Sequence, residues 1–105
     1  MSNAKKQRRA AFRKAVFGRD GHKCVFCPIT VGLDAHHITN RNEMPNGGYV
    51  VENGITLCAE HHLAAETCGV GSGWHIRYSP GALYELIGSS MEKAVAADKK
   101  EQEND

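Results

Sequence analysis

A chain of 105 residues has room for one domain, and its two ends read as tails that shrink that domain further. No apolar run approaches the ~20 residues of a membrane-spanning helix, and no signal-peptide hydrophobic region follows the basic start. A helical membrane span is therefore excluded and a cytoplasmic protein is expected. The net charge of +1 conceals an asymmetry: residues 5–23 carry eight basic side chains against one acid, Asp20, whereas acids lead after Met91. A basic front end suits a polyanion such as nucleic acid, although the same charges also fit a solvated helix face.

In chain order, Met1-Ser2-Asn3-Ala4 reads as a tag-like or disordered start. Over residues 5–17, Phe12, Ala15 and Val16 recur at i, i+3 and i+4, the spacing of a short amphipathic helix, and Gly18 supplies its stop. Arg19-Asp20-Gly21-His22 turns into Cys24-Val25-Phe26-Cys27-Pro28, a tight knuckle rather than a regular element. A short strand is expected near residues 33–38. A polar loop over residues 39–48 follows, with Pro45-Asn46-Gly47-Gly48 as turn chemistry. Asn53-Gly54 is a second turn signal, residues 55–58 a second short strand, and residues 59–67 have helical composition.

The glycine-rich stretch 69–73 reads as flexible. Trp74, Ile76 and Tyr78 alternate with His75 and Arg77 as a third strand would, Trp74 being a core anchor. Ser79-Pro80 places a capping hydroxyl and a proline at a helix start, with Leu83, Leu86 and Ile87 as its buried stripe. Residues 91–105 read as a charged tail without an apolar stripe wide enough to bury. One domain over residues 5–90 remains, and at roughly 80 residues a hydrophobic core is marginal and staples are common.

The cysteines and histidines are candidates for that staple. Cys24-x-x-Cys27 and Cys58-x-x-His61 each present two ligands at the spacing that chelates one tetrahedral zinc. Thirty residues separate the two halves, so a shared metal closes most of the fold and its binding energy becomes folding energy. With no sign of secretion, the cysteines read as thiols or ligands rather than disulfides. A disulfide, an iron–sulfur cluster and plain buried thiols stay open as alternatives, and Cys68 could replace His61 as fourth ligand.

Asp34, His36, His37, Asn53, His62 and Glu66 remain. On a helix, His62 and Glu66 at i and i+4 share one face, which is how a helix offers two ligands to one metal. His36 and His37 are neighbours on a strand and point to opposite sides, so one can bind a metal and the other needs a twist to reach the same cleft. Asp34 is a strand-edge residue or one that orients a histidine. His22 and His75 read as ordinary surface histidines.

The segments Asp34-Ala35-His36-His37-Ile38, Gly47-Gly48 and Asn53-Gly54-Ile55-Thr56-Leu57-Cys58-Ala59-Glu60-His61-His62 together resemble the motif of HNH endonucleases. The lead-in Arg19-Asp20-Gly21-His22-Lys23-Cys24-Val25-Phe26-Cys27 is similar to that of zinc-containing members, and the likeness covers residues 19–66. It implies a small α+β domain of the ββα-metal, treble-clef-like kind. Such a domain would be stapled by a structural zinc and flanked by a leading basic helix and a C-terminal helix.

The activity implied is metal-dependent hydrolysis of DNA phosphodiester bonds, as nicks or double-strand cuts, and compact members are frequent in phages and bacteria. By position, His37 matches the general base, His36 and His62 the ligands of one catalytic divalent ion, and Asn53 the residue that holds the loop and orients the base. Glu66 falls where colicin-type relatives place another histidine. A carboxylate there shifts preference toward Mg²⁺ or Mn²⁺, with Ni²⁺ or Zn²⁺ as alternatives. His61 and His62 could exchange roles, and the Cys-x-x-His spacing favours His61 on zinc.

The partner implied is double-stranded DNA, held by its backbone in the minor groove by a monomer or a homodimer. Lys5, Lys6, Arg8, Arg9 and Arg13 would touch that backbone and Arg41 would reach a phosphate. Two rivals belong to other classes. One is a zinc-dependent nucleic-acid-binding module without catalysis; the other is a zinc domain that binds a protein partner.

Overall fold

The basic leading segment forms α1 (Ser2–Arg19), longer at both ends than its apolar spacing predicts. The structure, a computed structural model, describes residues 2–67 and 78–103. Residues 2–4, read as a tag-like or disordered start, fall within the helix, and the helix runs through Gly18. Phe12 and Val16 are buried while Ala15 is exposed, so the inward stripe is narrower than expected. α1 ends where the backbone turns left-handed at Gly21 and His22, the His22 N–H closing on the Phe17 carbonyl at 2.9 Å, and a clamp of side chains docks that end. Asp20 accepts Arg19 Nε and Nη2 at 2.8 Å each and the Thr56 N–H at 2.9 Å. Arg19 also donates to the carbonyls of Val51 (2.8 Å) and Gly54 (2.6 Å).

β1 (Asp34–His37) and β2 (Gly54–Leu57) pair antiparallel, with Asp34 opposite Leu57 and His37 opposite Gly54. Asn53-Gly54, expected as a turn, instead closes a 3-10 turn (Val51–Asn53) and opens β2. The glycine is needed for contact: a Cβ at Gly54 would collide with Phe12 and Val16 of α1. Alternation divides β2 between two neighbours. Gly54 and Thr56 face α1, Thr56 Oγ1 reaching the Val16 carbonyl at 3.3 Å. Ile55 and Leu57, both 0 % exposed, join Cys24, Cys58, Leu83 and Tyr84 on the other side. Burying each of these two side chains contributes about 2–3 kcal/mol, which an isolated two-stranded hairpin would lack.

α2 (Ala59–Glu66) follows β2 directly. α3 (Pro80–Leu86) starts where Ser79-Pro80 predicts, Ser79 Oγ accepting the Ala82 N–H at 3.3 Å. Its inward residues are Leu83 and Tyr84, whereas Leu86, expected in the stripe, is 57 % exposed. The larger difference lies in the expected charged tail. Residues 91–103 form α4 (Met91–Glu103), with Ala94 and Asp98, one turn apart, both fully buried. α4 packs on the Val51–Asn53 turn, and Ser89 Oγ just before it donates to the Glu52 carbonyl at 2.9 Å. Val95 packs at the margin of the core, but a stripe whose fully buried members are one alanine and one carboxylate escapes a count of apolar residues.

Two strands and four helices among the described residues make a small mixed α/β fold. The expected third strand with Trp74, His75, Ile76 and Arg77, the glycine-rich stretch and Cys68 lie outside the described residues. Among the described residues no helix is long and apolar enough to cross a membrane.

Candidate metal centres

The knuckle and the start of α2 bring four soft donors together. The Cys24 N–H donates to the Ile29 carbonyl (3.0 Å), curling the knuckle on itself, and the Val25 N–H donates to Thr56 O (3.1 Å), docking it on β2. Cys24, Cys27, Cys58 and His61 then place their ligand atoms within 4.8 Å of one another. Cys24 Sγ lies 3.5 Å and Cys58 Sγ 3.1 Å from His61 Nδ1, and the Cys27 and Cys58 sulfurs are 3.7 Å apart. Zinc with bonds of ~2.3 Å to sulfur and ~2.0 Å to nitrogen asks for tetrahedral edges of roughly 3.4–3.8 Å. The Cys24–His61 and Cys27–Cys58 separations lie in that range, and the Cys58–His61 approach of 3.1 Å is shorter and would open on binding. The Cys₃His set therefore fits a structural metal ion such as zinc.

The state of the thiols agrees. Cys24, Cys27 and Cys58 are free. The His61 N–H, helped by the His61 ring and the neighbouring thiols, pulls the Cys58 thiol down to about 7, toward the thiolate that binds metal. At Cys27 the Ile29 N–H pulls the same way, but burial and the adjacent sulfurs outweigh it and raise the thiol. Crowded sulfurs resist joint ionisation unless a cation sits among them.

The second cluster lies on the other side of α2. His36 and His37 point to opposite faces of β1. His36 faces α2, its ring centroid 5.2 Å from that of His62, and His36, His62 and Glu66 hold donor atoms within 4.8 Å of one another. His62 Nδ1 is 3.2 Å from Asp34 Oδ2, which orients the ring, and His62 Nε2 is 2.9 Å from Glu66 Oε1. Burial above all, then the neighbouring His62 and His37, pushes His36 down to about 4. It is thereby held neutral, the form that ligates. A cleft of about 470 Å³ opens here, lined by His36, His37, Arg41, Glu43, His62 and Glu66 among others.

His37 turns toward α1. Its ring lies 4.6 Å from Phe12 and stands edge-on to Tyr49 at 4.8 Å. Its Nε2 is buried without a hydrogen-bond partner. Burial first, then Arg41, lowers its pKa, with Arg9 assisting and Asp98 opposing.

Asn53 is fully buried. Its Oδ1 accepts from the Thr39 N–H (3.0 Å) and Tyr84 Oη (2.7 Å), and its Nδ2 donates to the carbonyls of Thr39 (3.1 Å) and Gly48 (3.2 Å). These four bonds exhaust the amide, so none is left for an imidazole. Asn53 holds the backbone just after His37, and its own carbonyl accepts the Ile38 N–H at 2.9 Å. Asp98, which the sequence reading missed as part of a tail, closes the same loop. Its carboxylate accepts the N–H groups of Asn46 (2.6 Å) and Gly48 (3.1 Å). The only signal was a carboxylate four residues after Ala94, which a solvated helix shows as often.

Of the expected phosphate contacts, Lys5, Arg8, Arg9 and Arg41 come together around Tyr49 in a second cleft. Lys6 and Arg13 do not line it. Arg13 lies 3.8 Å from Asp34 and over the Phe17 ring. No family model matches the chain, and no curated protein and no solved structure matches it.

Proposed function

We propose that this chain is a metal-dependent endonuclease of the HNH type that hydrolyses phosphodiester bonds in double-stranded DNA. The observation that supports it most is the make-up of one cleft. Two imidazoles and a carboxylate (His36, His62, Glu66) converge there as ligands, and the remaining histidine that lines the same cleft, His37, stands outside the cluster. A divalent ion held by those three residues would relieve charge on the phosphate and the departing oxygen. The carboxylate in the set tilts the preference toward Mg²⁺ or Mn²⁺.

The other roles belong to the chain itself. His37 takes the proton of the attacking water, and its lowered pKa keeps it neutral near pH 7, as a base must be. Asp34 orients His62 through Nδ1. Asn53 positions His37 through the backbone that follows it. Arg41, on the rim of the cleft, meets the phosphate.

One observation favours a second reading, a zinc-stapled nucleic-acid-binding module without catalysis. His37 Nε2 is enclosed and the ring is packed between Phe12 and Tyr49, so that nitrogen meets water only if the packing opens. Supercoiled plasmid incubated with wild type and His37→Ala in Mg²⁺, Mn²⁺, Ni²⁺ or EDTA separates the two. Metal-dependent nicking or linearisation should appear with wild type and fall about 10²–10⁴-fold in the variant. If both proteins are inert in every metal, yet both retard DNA in a gel, the second reading replaces the first.

A further inference from the structure

The cleft around Tyr49 is separate from the metal-ligating cluster and differs from it in charge. It encloses about 440 Å³, and its lining includes four cations, Lys5, Arg8, Arg9 and Arg41, and no acid. Lys5, Arg8 and Arg9 fall at i, i+3 and i+4 on one face of α1, whose 18 residues contain no Asp or Glu. Like charges at that spacing repel, and no acid in the lining offsets them. Arg41 joins from the 3-10 turn Arg41–Glu43. The arrangement is that of a site built for an anion from outside the chain.

Tyr49 organises the cleft. Arg41 Nη1 donates to its hydroxyl at 3.0 Å, and the Arg8 guanidinium lies over its ring at 5.5 Å. Burial raises the phenol, but the bonds from Arg41 and Arg9 outweigh it and leave the pKa lowered, as expected where two guanidinium groups face one oxygen. The same ring stands edge-on against His37, and Arg41 lines both clefts. An anion seated here is thus one side chain away from the cleft of the metal-ligating cluster.

We infer that the Tyr49 cleft is a phosphate subsite that grips the DNA backbone beside the bond to be cut, with Lys5, Arg8, Arg9 and Arg41 as its cations. The words "beside the bond to be cut" rest on the nuclease reading; the affinity for backbone phosphate does not. Arg8 also donates to the Asn46 carbonyl at 2.8 Å and so helps hold the loop. Lys5 and Arg9, both exposed, are therefore the residues to change.

The test is duplex binding by fluorescence anisotropy, with the full chain and no added divalent ion, over roughly 50–200 mM salt. Each lost phosphate contact lowers the slope of log affinity against log salt by about 0.9, so Lys5→Gln with Arg9→Gln should lower it by about 1.8. Lys99→Gln with Lys100→Gln, at exposed positions on α4, should leave the slope as in wild type. Equal slopes for the two pairs overturn the subsite, even if plasmid cleavage succeeds. A lowered slope in the first pair with a plasmid left intact keeps the subsite and removes the nuclease. Displacement of the duplex by polyglutamate at the concentration at which tripolyphosphate displaces it would assign the cleft to an acidic peptide and overturn the phosphate assignment.

Discussion

The two loops that flank the strand pair are held by opposite means. The knuckle over residues 24–29 is held by thiols and an imidazole: Cys24, Cys27, Cys58 and His61 face one point, with a geometry that suits a closed tetrahedral site. The turn over residues 39–49 is held by buried side chains that accept and donate to backbone, Asn53 from the 3-10 turn that precedes β2 and Asp98 from α4. At this size an apolar core is marginal and staples are common; the fold offers a Cys₃His set that could hold a metal at one loop and a network of buried polar side chains at the other. The difference suits what each loop carries. The closed site leaves no open position, whereas the polar network ties down a loop while leaving His36, His62 and Glu66 partly exposed beside a cleft. His61 and His62, adjacent on α2, fall on the two sides of this divide.

The largest effect on stability is expected at the knuckle. Cys58→Ser, or removal of the metal by a strong chelator, should abolish the cooperative thermal transition seen by circular dichroism. Structural zinc in small domains contributes about 10–16 kcal/mol of binding free energy, comparable to the ~5–15 kcal/mol of a domain's whole stability. A Cys58→Ser protein that melts cooperatively near the wild-type temperature would show that the knuckle needs no metal, and the contrast between the loops would vanish.

The polar staple should come second. Asp98→Ala strands the N–H groups of Asn46 and Gly48, which now donate to a carboxylate inside the protein. At about 1.5–3 kcal/mol for each bond to a charged group, the loss is about 3 kcal/mol or more, a fall of roughly 12–24 °C in Tm. Asp98→Asn should recover part of it, because an amide oxygen can still accept one of the two. Zinc content measured by atomic absorption should stay at the wild-type level in both variants. If zinc falls with Asp98→Ala, the two staples are one cooperative unit.

Spacing explains what was legible in the sequence. The sets Cys-x-x-Cys, Cys-x-x-His and His62/Glu66 each lie within one local element, where residue separation fixes distance, and the alternation of β1 likewise sends His36 and His37 to opposite faces. The rest depended on contacts between distant segments. Asp98 meets Gly48 across 50 residues, and nothing local separates it from the solvated acids around it. Gly54 follows an asparagine, as a turn glycine would, and is required instead by Phe12 and Val16 pressing from α1. Arg8 and Arg13 look like free cations until Asn46 and Asp34 are brought beside them. Asn53 was placed by resemblance at the loop it holds, but its four side-chain bonds to Thr39, Tyr84 and Gly48 could be counted only in three dimensions.

The smallest effect on stability should come from the residue on which the cleft depends most. His62→Ala removes a side chain only 27 % exposed, but the carboxylates beside it, Asp34 and Glu66, are 46 % and 58 % exposed, so both return to water when it goes. The cost to the fold should be under about 1 kcal/mol. The same change leaves His36 and Glu66 alone to hold a cation, and two ligands from separate elements bind weakly. Titration with Mn²⁺ followed by electron paramagnetic resonance should therefore lose the bound signal, while zinc content and Tm stay close to wild type. A variant that lost zinc and unfolded together would place His62 in the knuckle and His61 in the cleft. That outcome would contradict the 3.1 Å and 3.5 Å approaches of His61 Nδ1 to Cys58 and Cys24, and it would reverse the division between the two sides of α2.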